Sequence, residues 1–304
     1  MKLNAAPGLL VPPLTPFIDG GKIDHPALQR EISYILEHCI PQMIVAAGVE
    51  AQEYQCLSPE GRKELIRATI EYVDGRCPVA VGVSHPSVDA ALALAELASG
   101  AGADALQVLA PRTPSGGEPA LSTLLTYFGR IEAEVTLPIV LYLNPGPGAD
   151  VADRDTIELC SLEGVGLVKE SSRNMTRIGL LIAEIEQTGL AHYYTTMQVL
   201  LPSLLLGGSG AAMPPPAAEL GAKTIAAFQK GAYEEAGRLQ RQFQRFPALW
   251  MKHGLAAVLK EAMSCLGRSV GDPCSPVLGW NTEESLALCA ELDRLDLTKG
   301  ENND

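Results

Sequence analysis

Short apolar runs alternate with longer amphipathic segments along most of the 304-residue chain. The short runs are bounded by glycine, proline or polar residues, which is typical of buried strands, and the longer segments repeat apolar residues every three or four positions, which favours helices. We predict strands at residues 8–11, 43–46, 79–83, 105–109, 139–142, 166–169, 193–195 and 210–213. We predict helices at residues 27–39, 59–73, 88–98, 121–135 and 177–187.

Eight strand-then-helix repeats predict an α/β fold, a closed (β/α)8 TIM barrel. The main alternative is an open doubly wound sheet, but no G-x-G-x-x-G motif follows the first strand, so the barrel is favoured. We assign the barrel to residues 1–224. Helical patterns continue at 226–246, 252–266 and 283–295, so residues 225–304 are predicted to form a C-terminal helical extension packed on the barrel, with a disordered tail.

The charge balance argues against a nucleic-acid partner. The chain has 23 basic and 36 acidic residues, a formal net charge of -13, and no dense basic cluster. The first 13 residues lack a signal-peptide pattern, and no apolar stretch reaches the roughly 18–20 residues of a membrane helix. We therefore predict no membrane partner and a cytoplasmic location.

Cysteine and histidine spacing argues against a metal site. The seven cysteines include no C-x-x-C pair, so we predict buried, reduced thiols, and the five histidines form no metal-binding motif. We accordingly predict no metal and no cofactor.

Lys169 is the residue that most strongly indicates chemistry. It ends the sixth predicted strand, and alternation places it on the same side as Val165 and Leu167. An amine that is surrounded by apolar side chains loses hydration. This favours the neutral amine over the ammonium ion and makes the lysine a candidate nucleophile for a carbonyl. The alternative is a solvated lysine at a strand end, with no chemical role.

Four segments resemble the family of dihydrodipicolinate synthase and N-acetylneuraminate lyase. They are GLLVPPLTPF at 8–17, LYLNP at 141–145, GLVKESSRN at 166–174 and LLGGSG at 205–210. The segment at 166–174 is similar to the family's lysine strand, and the one at 141–145 to its tyrosine-bearing Y-N-x-P strand end. The resemblance covers nearly the whole chain.

The resemblance implies that Lys169 forms an imine with the keto carbon of pyruvate or a related 2-oxo acid. Tyr142, at the end of the adjacent fifth strand, is then the expected proton shuttle, although a tyrosine can also close a strand end by packing alone. The family resemblance further implies a homo-oligomer, a tetramer or a dimer. We also assign Met213, at the end of the last predicted strand, to substrate binding.

The carboxylate-binding segment departs from the family pattern. The family usually has G-T-T-G-E after the second strand, whereas residues 46–54 here read AAGVEAQEY, without either threonine. The backbone amides of Gly48 and Val49 can still bind a substrate carboxylate, but alanine and valine supply no hydroxyl for a proton relay. Either Glu50 or Glu53 can match the glutamate of the motif.

Two further positions depart from the family pattern. Typical members carry a tyrosine after the fourth strand, where residues 110–114 here read APRTP. The synthase arginine that follows Y-N-x-P is absent from residues 146–150, so the aldehyde substrate loses a bidentate carboxylate contact and authentic dihydrodipicolinate synthesis is not expected. Arg112, in the loop after the fourth strand, is a candidate replacement that binds an anionic substrate. A solvated loop arginine is the alternative.

The sequence therefore predicts a Schiff-base lyase or aldolase that acts on a 2-oxo acid. A Schiff-base sugar-acid dehydratase is a close variant that the sequence does not separate. A barrel that binds a metabolite without catalysis is a different class, suggested by the missing threonines. A phosphate-sugar enzyme that uses Gly207–Gly210 as an anion cradle is a weaker possibility.

Overall fold

The computed structural model contains a closed, parallel eight-stranded barrel, so the fold prediction is confirmed. The structure describes residues 7–18, 21–49, 53–114, 116–243, 254–275, 277, 280–295 and 297–299. The barrel strands are β1 Gly8–Val11, β2 Met43–Ala46, β3 Val79–Gly82, β4 Ala105–Leu109, β5 Ile139–Leu143, β6 Val165–Glu170, β7 His192–Thr195 and β8 Gly210–Ala212. Their order around the barrel is β1-β8-β7-β6-β5-β4-β3-β2, closing on β1. All eight predicted strands are present, with bounds that differ by one residue at most.

Helices alternate with these strands. They are α1 His25–Tyr34, α2 Pro59–Val73, α3 Val88–Ala101, α4 Leu121–Glu134, α5 Asp153–Cys160, α6 Met175–Leu181, α7 Leu200–Leu205, α8 Ala217–Gln229, α9 Tyr233–Gln242, α10 Leu255–Cys265 and α11 Thr282–Leu292. Two helices continue as one π-helical turn each, α1 over Ile35–Cys39 and α6 over Ile182–Glu186. A short antiparallel hairpin of Phe17–Ile18 and Lys22–Ile23 follows β1.

Local capping explains several helix boundaries. The Ser58 hydroxyl accepts a hydrogen bond from the Gly61 N–H, and Pro59 begins α2. The Asn174 side chain likewise accepts from the first N–H groups of α6. Gly102, with φ 91°, ends α3 in the left-handed conformation that suits glycine.

One predicted helix is wrong. The apolar periodicity at 226–246 suggested a continuous helix, but α8 ends at Gln229 and α9 starts at Tyr233. The backbone turns between the two helices at Gly231, which has a φ of 71°. Residues 244–246 and 252–253 of the predicted helices, and the predicted tail from 300 onward, lie outside the described residues.

The chain forms two compact units. The first contains Pro78–Ala212 together with the segment that ends at Gly8, and the second contains Leu9–Cys77 and the chain from Met213 onward. In the first unit, β4 and β5 are buried at every position, as expected for parallel strands covered on both faces. The separate extension predicted for residues 225–304 stays a prediction.

The prediction of seven reduced thiols is wrong for two cysteines. Cys265, at the end of α10, is joined to Cys289 of α11 by a disulfide across a sequence separation of 24. The same helices share an apolar cluster of Ala262, Leu288 and Leu292. Cys39, Cys56, Cys77, Cys160 and Cys274 are free, and all of them except Cys56 are buried. The sequence showed no pairing because the partners meet only when the two helices pack.

Candidate active site

Lys169 and Tyr142 face each other on adjacent strands of the first unit. The register of β5 and β6 places Tyr142 opposite Lys169, and the lysine Nζ lies 4.1 Å from the centre of the tyrosine ring. Both side chains are buried, with Lys169 6% and Tyr142 3% exposed. The Lys169 Nζ donates a hydrogen bond to the Ser171 hydroxyl over 2.5 Å. The two residues predicted to carry the chemistry are therefore brought together, with the amine withdrawn from solvent.

Asn144 holds the phenol of Tyr142. Its Nδ2 donates to the Tyr142 hydroxyl oxygen over 2.8 Å, while its Oδ1 accepts from the Gly146 N–H over 3.3 Å. Gly148 lets the same loop approach β4, because a Cβ there would come within 2.8 Å of the Ala110 carbonyl oxygen. The asparagine is thus fixed by the loop and in turn fixes the tyrosine.

Glu170 anchors the end of the lysine strand. Since it alternates with Lys169 along β6, its carboxylate lies on the other side of the strand, where it is 2% exposed. It accepts hydrogen bonds from the Tyr193 hydroxyl at 2.9 Å and the Arg177 Nε at 3.2 Å. Burial and the neighbouring Glu170 carboxylate raise the pKa of Tyr193, so this phenol remains a donor. Arg177 also pairs with Asp153.

Arg112 lies in the loop after β4 and is half exposed. Its guanidinium is 3.3 Å from the Glu118 carboxylate, whose other oxygen accepts from the Asp150 N–H over 2.8 Å. Arg112 therefore joins two surface loops through Glu118, and an anionic substrate would compete with that carboxylate. Its role in substrate binding stays a prediction.

The other predicted binding residues belong to the second unit. Gly48 is buried two residues after the end of β2, where a Cβ would come within 3.1 Å of Pro12, and Val49 is half-buried. Met213 is 1% exposed and lies against Gly221 of α8, where a Cβ would come within 2.6 Å of its sulfur. Their roles in substrate binding stay predictions.

Glu53 is fixed by a buried ion pair. Its carboxylate is 2.6 Å from the Nζ of Lys260, and its other oxygen accepts from the Cys274 N–H over 2.8 Å. Glu53 itself adopts a left-handed backbone conformation with φ 47°. Of the two glutamates that can match the family motif, Glu50 lies outside the described residues.

A polar cavity of about 320 Å³ lies within the first unit, between the segment that follows β5 and the segment that follows β6. Asn144 and Ser171, which contact the tyrosine and the lysine, both line it. Glu170, whose side chain lies on the opposite side of β6 from Lys169, also lines the cavity, together with the polar residues Asp150, Ser172, Arg173 and Arg177. This volume is within the range of sites that bind small molecules.

Comparison with known proteins identifies the family. A family model described as the dihydrodipicolinate synthetase family matches residues 5–295. The chain belongs to this family. Among curated members, it is 28% identical to the 4-hydroxy-tetrahydrodipicolinate synthase of Moorella thermoacetica, over 95% of this chain and 98% of the relative. It is 25% identical to a protein of Escherichia coli named "Probable 2-dehydro-3-deoxy-D-pentonate aldolase YjhH", over 91% and 93% of the two chains.

Solved structures show the same fold. YagE of E. coli K12, a prophage protein of the dihydrodipicolinic acid synthase family in complex with pyruvate, superposes with a TM-score of 0.87 at 23% identity, covering 96% of this chain and 99% of YagE. N-acetylneuraminate lyase of Mycoplasma synoviae gives 0.82 at 19% identity, covering 96% and 98%. At these identities the likeness shows the fold alone.

Two further findings concern a possible membrane span and a possible metal site. Among the described residues, no helix is both long and apolar enough to cross a membrane. The same part of the chain contains no group of three histidine, cysteine or acidic residues placed to hold a metal ion. The absence of a cofactor, the cytoplasmic location and the lack of a nucleic-acid partner stay predictions.

Sequence reasoning missed the contacts of Ser171 and Asn144. Strand alternation carried a signal for Ser171, since it follows β6 directly and lies two residues after Lys169. Asn144 was visible as the second residue of the Y-N-x-P segment, but nothing in the sequence showed that its amide reaches the tyrosine hydroxyl.

Proposed function

We propose that this protein is a lysine-dependent lyase or aldolase that acts on a 2-oxo acid such as pyruvate. The observation that carries the proposal is the buried Lys169 amine, 4.1 Å from the ring centre of Tyr142 on the neighbouring strand. A buried amine beside a phenol provides both a nucleophile and a proton carrier for carbonyl chemistry. Membership of the dihydrodipicolinate synthetase family supports the same reaction class.

Lys169 supplies the nucleophile. Its neutral amine adds to the keto carbon to give a carbinolamine, and a proton donated to the carbinolamine hydroxyl lets it leave as water, which gives an iminium ion. The positive nitrogen withdraws electrons, so the adjacent carbon loses a proton and an enamine forms. In the synthetic direction the enamine carbon bonds to an aldehyde carbon, and in the cleavage direction that bond breaks. Water then hydrolyses the iminium and restores the free lysine.

Tyr142 carries protons between these steps. The amide of Asn144 donates to the phenol oxygen over 2.8 Å, and a donor at that position favours the phenolate that forms when the tyrosine gives up its proton. Asn144 therefore assists the transfer of protons by Tyr142.

The lysine-pathway synthase reaction is not the activity that we propose. No arginine follows the Y-N-x-P segment within residues 146–150, so the bidentate contact expected for the carboxylate of the synthase's aldehyde substrate is missing there. The relative YjhH bears the name of a probable sugar-acid aldolase, and YagE was solved with pyruvate. The name of YjhH supports an aldolase that uses a different aldehyde substrate.

Borohydride trapping tests the proposal. We expect reduction in the presence of pyruvate to leave a covalent adduct on Lys169, located by peptide mass spectrometry, and no adduct in Lys169→Arg. The exposed Lys230→Arg variant is the control and keeps the adduct. If a panel of 2-oxo acids gives no adduct on Lys169, the enzyme proposal is wrong. Pyruvate affinity that Lys169→Ala leaves unchanged by calorimetry would instead support the non-catalytic binding barrel.

A homo-oligomer, a tetramer or a dimer, forms part of the same proposal. It follows from the family resemblance, and light scattering on the purified protein measures it directly. A monomer across the working concentration range would contradict it.

A further inference from the structure

Lys169 has a tyrosine in register on each of its two neighbouring strands. Tyr142 of β5 pairs with Lys169 on one side, and Tyr194 of β7 pairs with the same lysine on the other. Each of the three is the second-last residue of its strand, so they form one row near the carboxyl ends of β5, β6 and β7. Barrel enzymes carry their reacting groups at this end of the strands.

The side chain of Tyr194 lies on the same face of the sheet as Lys169. Side chains in register on neighbouring parallel strands share a face, as the 4.1 Å contact between the Lys169 Nζ and the Tyr142 ring illustrates. Tyr193 provides a check, because its hydroxyl donates to Glu170, which alternates with Lys169 and lies on the opposite face. Since Tyr193 points away from the lysine, the next residue, Tyr194, points to the lysine's face.

The row offers few groups that can exchange a proton. Leu109 of β4 and Gly210 of β8 are in register at its two ends, and neither has a polar side chain. The polar side chains of these five residues are therefore one amine and two phenols. Tyr194 is fully buried, so its phenol, like the Lys169 amine, is shielded from solvent. On the β7 side of the lysine, Tyr194 is the residue of the row that can act as a proton donor.

A second proton donor has a defined use in the proposed reaction. The carbinolamine hydroxyl leaves as water only after it has gained a proton, and the carbon next to the iminium must lose one to a base. These two steps take place on different atoms of the substrate. A phenol on each flank of Lys169 allows each step its own group. The tyrosine that typical family members carry after the fourth strand is absent, since residues 110–114 read APRTP.

We infer that Tyr194 donates the proton with which the carbinolamine hydroxyl leaves, and that Tyr142 serves the adjacent carbon. The inference rests on the proposed function, because it requires an imine on Lys169. The O–H bond of Tyr194 breaks, its proton bonds to the carbinolamine oxygen, the C–O bond breaks to release water, and the nitrogen lone pair forms the C=N bond. The positive iminium stabilises the phenolate beside it. When water later hydrolyses the product iminium, the proton that is released returns to the Tyr194 phenolate.

The rate of imine formation tests the role of Tyr194. The protein is mixed with pyruvate, borohydride is added after set times, and the adduct on Lys169 is quantified by mass spectrometry. We expect Tyr194→Phe, which keeps the ring and removes the hydroxyl, to slow adduct formation about 10²-fold or more. Tyr142→Phe should form the adduct at the wild-type rate. It should instead slow the exchange of the pyruvate methyl protons for deuterium, which proton NMR measures.

Tyr127→Phe is the matched control. Tyr127 is a buried residue of α4 in the same unit, and its hydroxyl donates to the His85 carbonyl over 2.6 Å. The substitution removes one phenol hydroxyl away from the row, and we expect it to leave the rate of adduct formation unchanged. A loss of equal size in Tyr127→Phe and Tyr194→Phe would point to a general effect of losing such a hydroxyl and would overturn the inference.

A second substitution covers a Tyr194→Phe protein that does not fold. Tyr194→2,3-difluorotyrosine keeps the shape and the hydroxyl but has a more acidic phenol. Because a deprotonated phenol cannot donate, the alkaline fall in the rate of adduct formation should move to lower pH. A tyrosine that only packs would leave this pH profile unchanged, and that result would overturn the inference.

The outcomes separate the two proposals. If the wild-type protein forms no adduct with any 2-oxo acid, the proposed function and the role of Tyr194 are both wrong. If the wild type forms the adduct and Tyr194→Phe forms it equally fast, only the role of Tyr194 is wrong, and the lysine-dependent reaction stands.

Discussion

The buried ion pair of Glu53 and Lys260 allows a quantitative prediction about stability. The Lys260 side chain is 1% and the Glu53 side chain 7% exposed, and their charged atoms lie 2.6 Å apart. The Lys260 Nζ also donates to the Asp272 carbonyl over 2.8 Å and lies 4.4 Å from the Phe17 ring centre. Replacing Glu53 by glutamine keeps an acceptor for the Cys274 N–H but leaves the ammonium without its counter-ion.

The expected cost follows from desolvation. Burial lowers the pKa of Lys260, and the Glu53 carboxylate raises it, so the ion pair offsets much of the cost of the buried charge. Removing one partner of such a pair costs about 3–5 kcal/mol. For a chain of this size, that lowers Tm by roughly 5–15 °C. A second substitution, Lys260→Met, removes the isolated charge and should recover most of the loss.

The pH dependence has a defined sign. A lysine whose folded-state pKa is lowered destabilises the folded state, and this penalty begins to fall as the pH rises through the folded-state pKa and is gone above the ordinary lysine pKa of the unfolded chain. Because Glu53→Gln lowers that pKa further, the variant should approach wild-type stability as the pH rises toward the ordinary lysine pKa.

Thermal and urea unfolding followed by circular dichroism measures these differences. The exposed pair of Lys63 and Glu60, 2.8 Å apart, provides the control, and we expect Glu60→Gln to cause no measurable change. A Glu53→Gln protein that is as stable as Glu60→Gln, or a double variant that is less stable than the single one, would refute the reasoning.

Three further substitutions have defined outcomes. Tyr142→Phe should lower kcat for the aldol reaction about 10²–10⁴-fold, while borohydride still traps pyruvate on Lys169, because the amine remains; an unchanged kcat argues against the proton shuttle. Burial raises the pKa of Glu31 to about 8, so between about pH 4.5 and 8 wild-type stability should fall with rising pH by up to about 1.4 kcal/mol per unit, and Glu31→Gln should flatten that slope in urea titrations. Reduction of the Cys265–Cys289 disulfide should cost about 2–4 kcal/mol in the wild type and nothing in the double serine variant, which parallel melts with and without reductant will show.

The barrel could be predicted because its signals are local. Each strand is a short apolar run, and the bounds of β1, β2 and β4 agree with the prediction. The break between α8 and α9 could not be predicted from local signals, because the apolar repeat at 226–246 continues across Gly231 although the backbone turns there. The π-helical turns at Ile35–Cys39 and Ile182–Glu186 have no apolar period that would separate them from the helices they extend.

The part of the site that lies on two neighbouring strands could be predicted from the sequence. Lys169 and Tyr142 could be paired because their strands are neighbours in any barrel of this order. The ion pair of Glu53 and Lys260 could not, because its partners are 207 residues apart and meet only through tertiary packing. The cavity beside Asn144 and Ser171 was likewise hidden, since its shape depends on how two loops pack.

A crystal of the protein soaked with pyruvate shows directly whether Lys169 forms the imine. We expect continuous electron density from the Lys169 Nζ to the keto carbon of the ligand, with the Tyr142 hydroxyl beside it. Pyruvate held elsewhere, or beside an unmodified Lys169 amine after prolonged soaking, would contradict it.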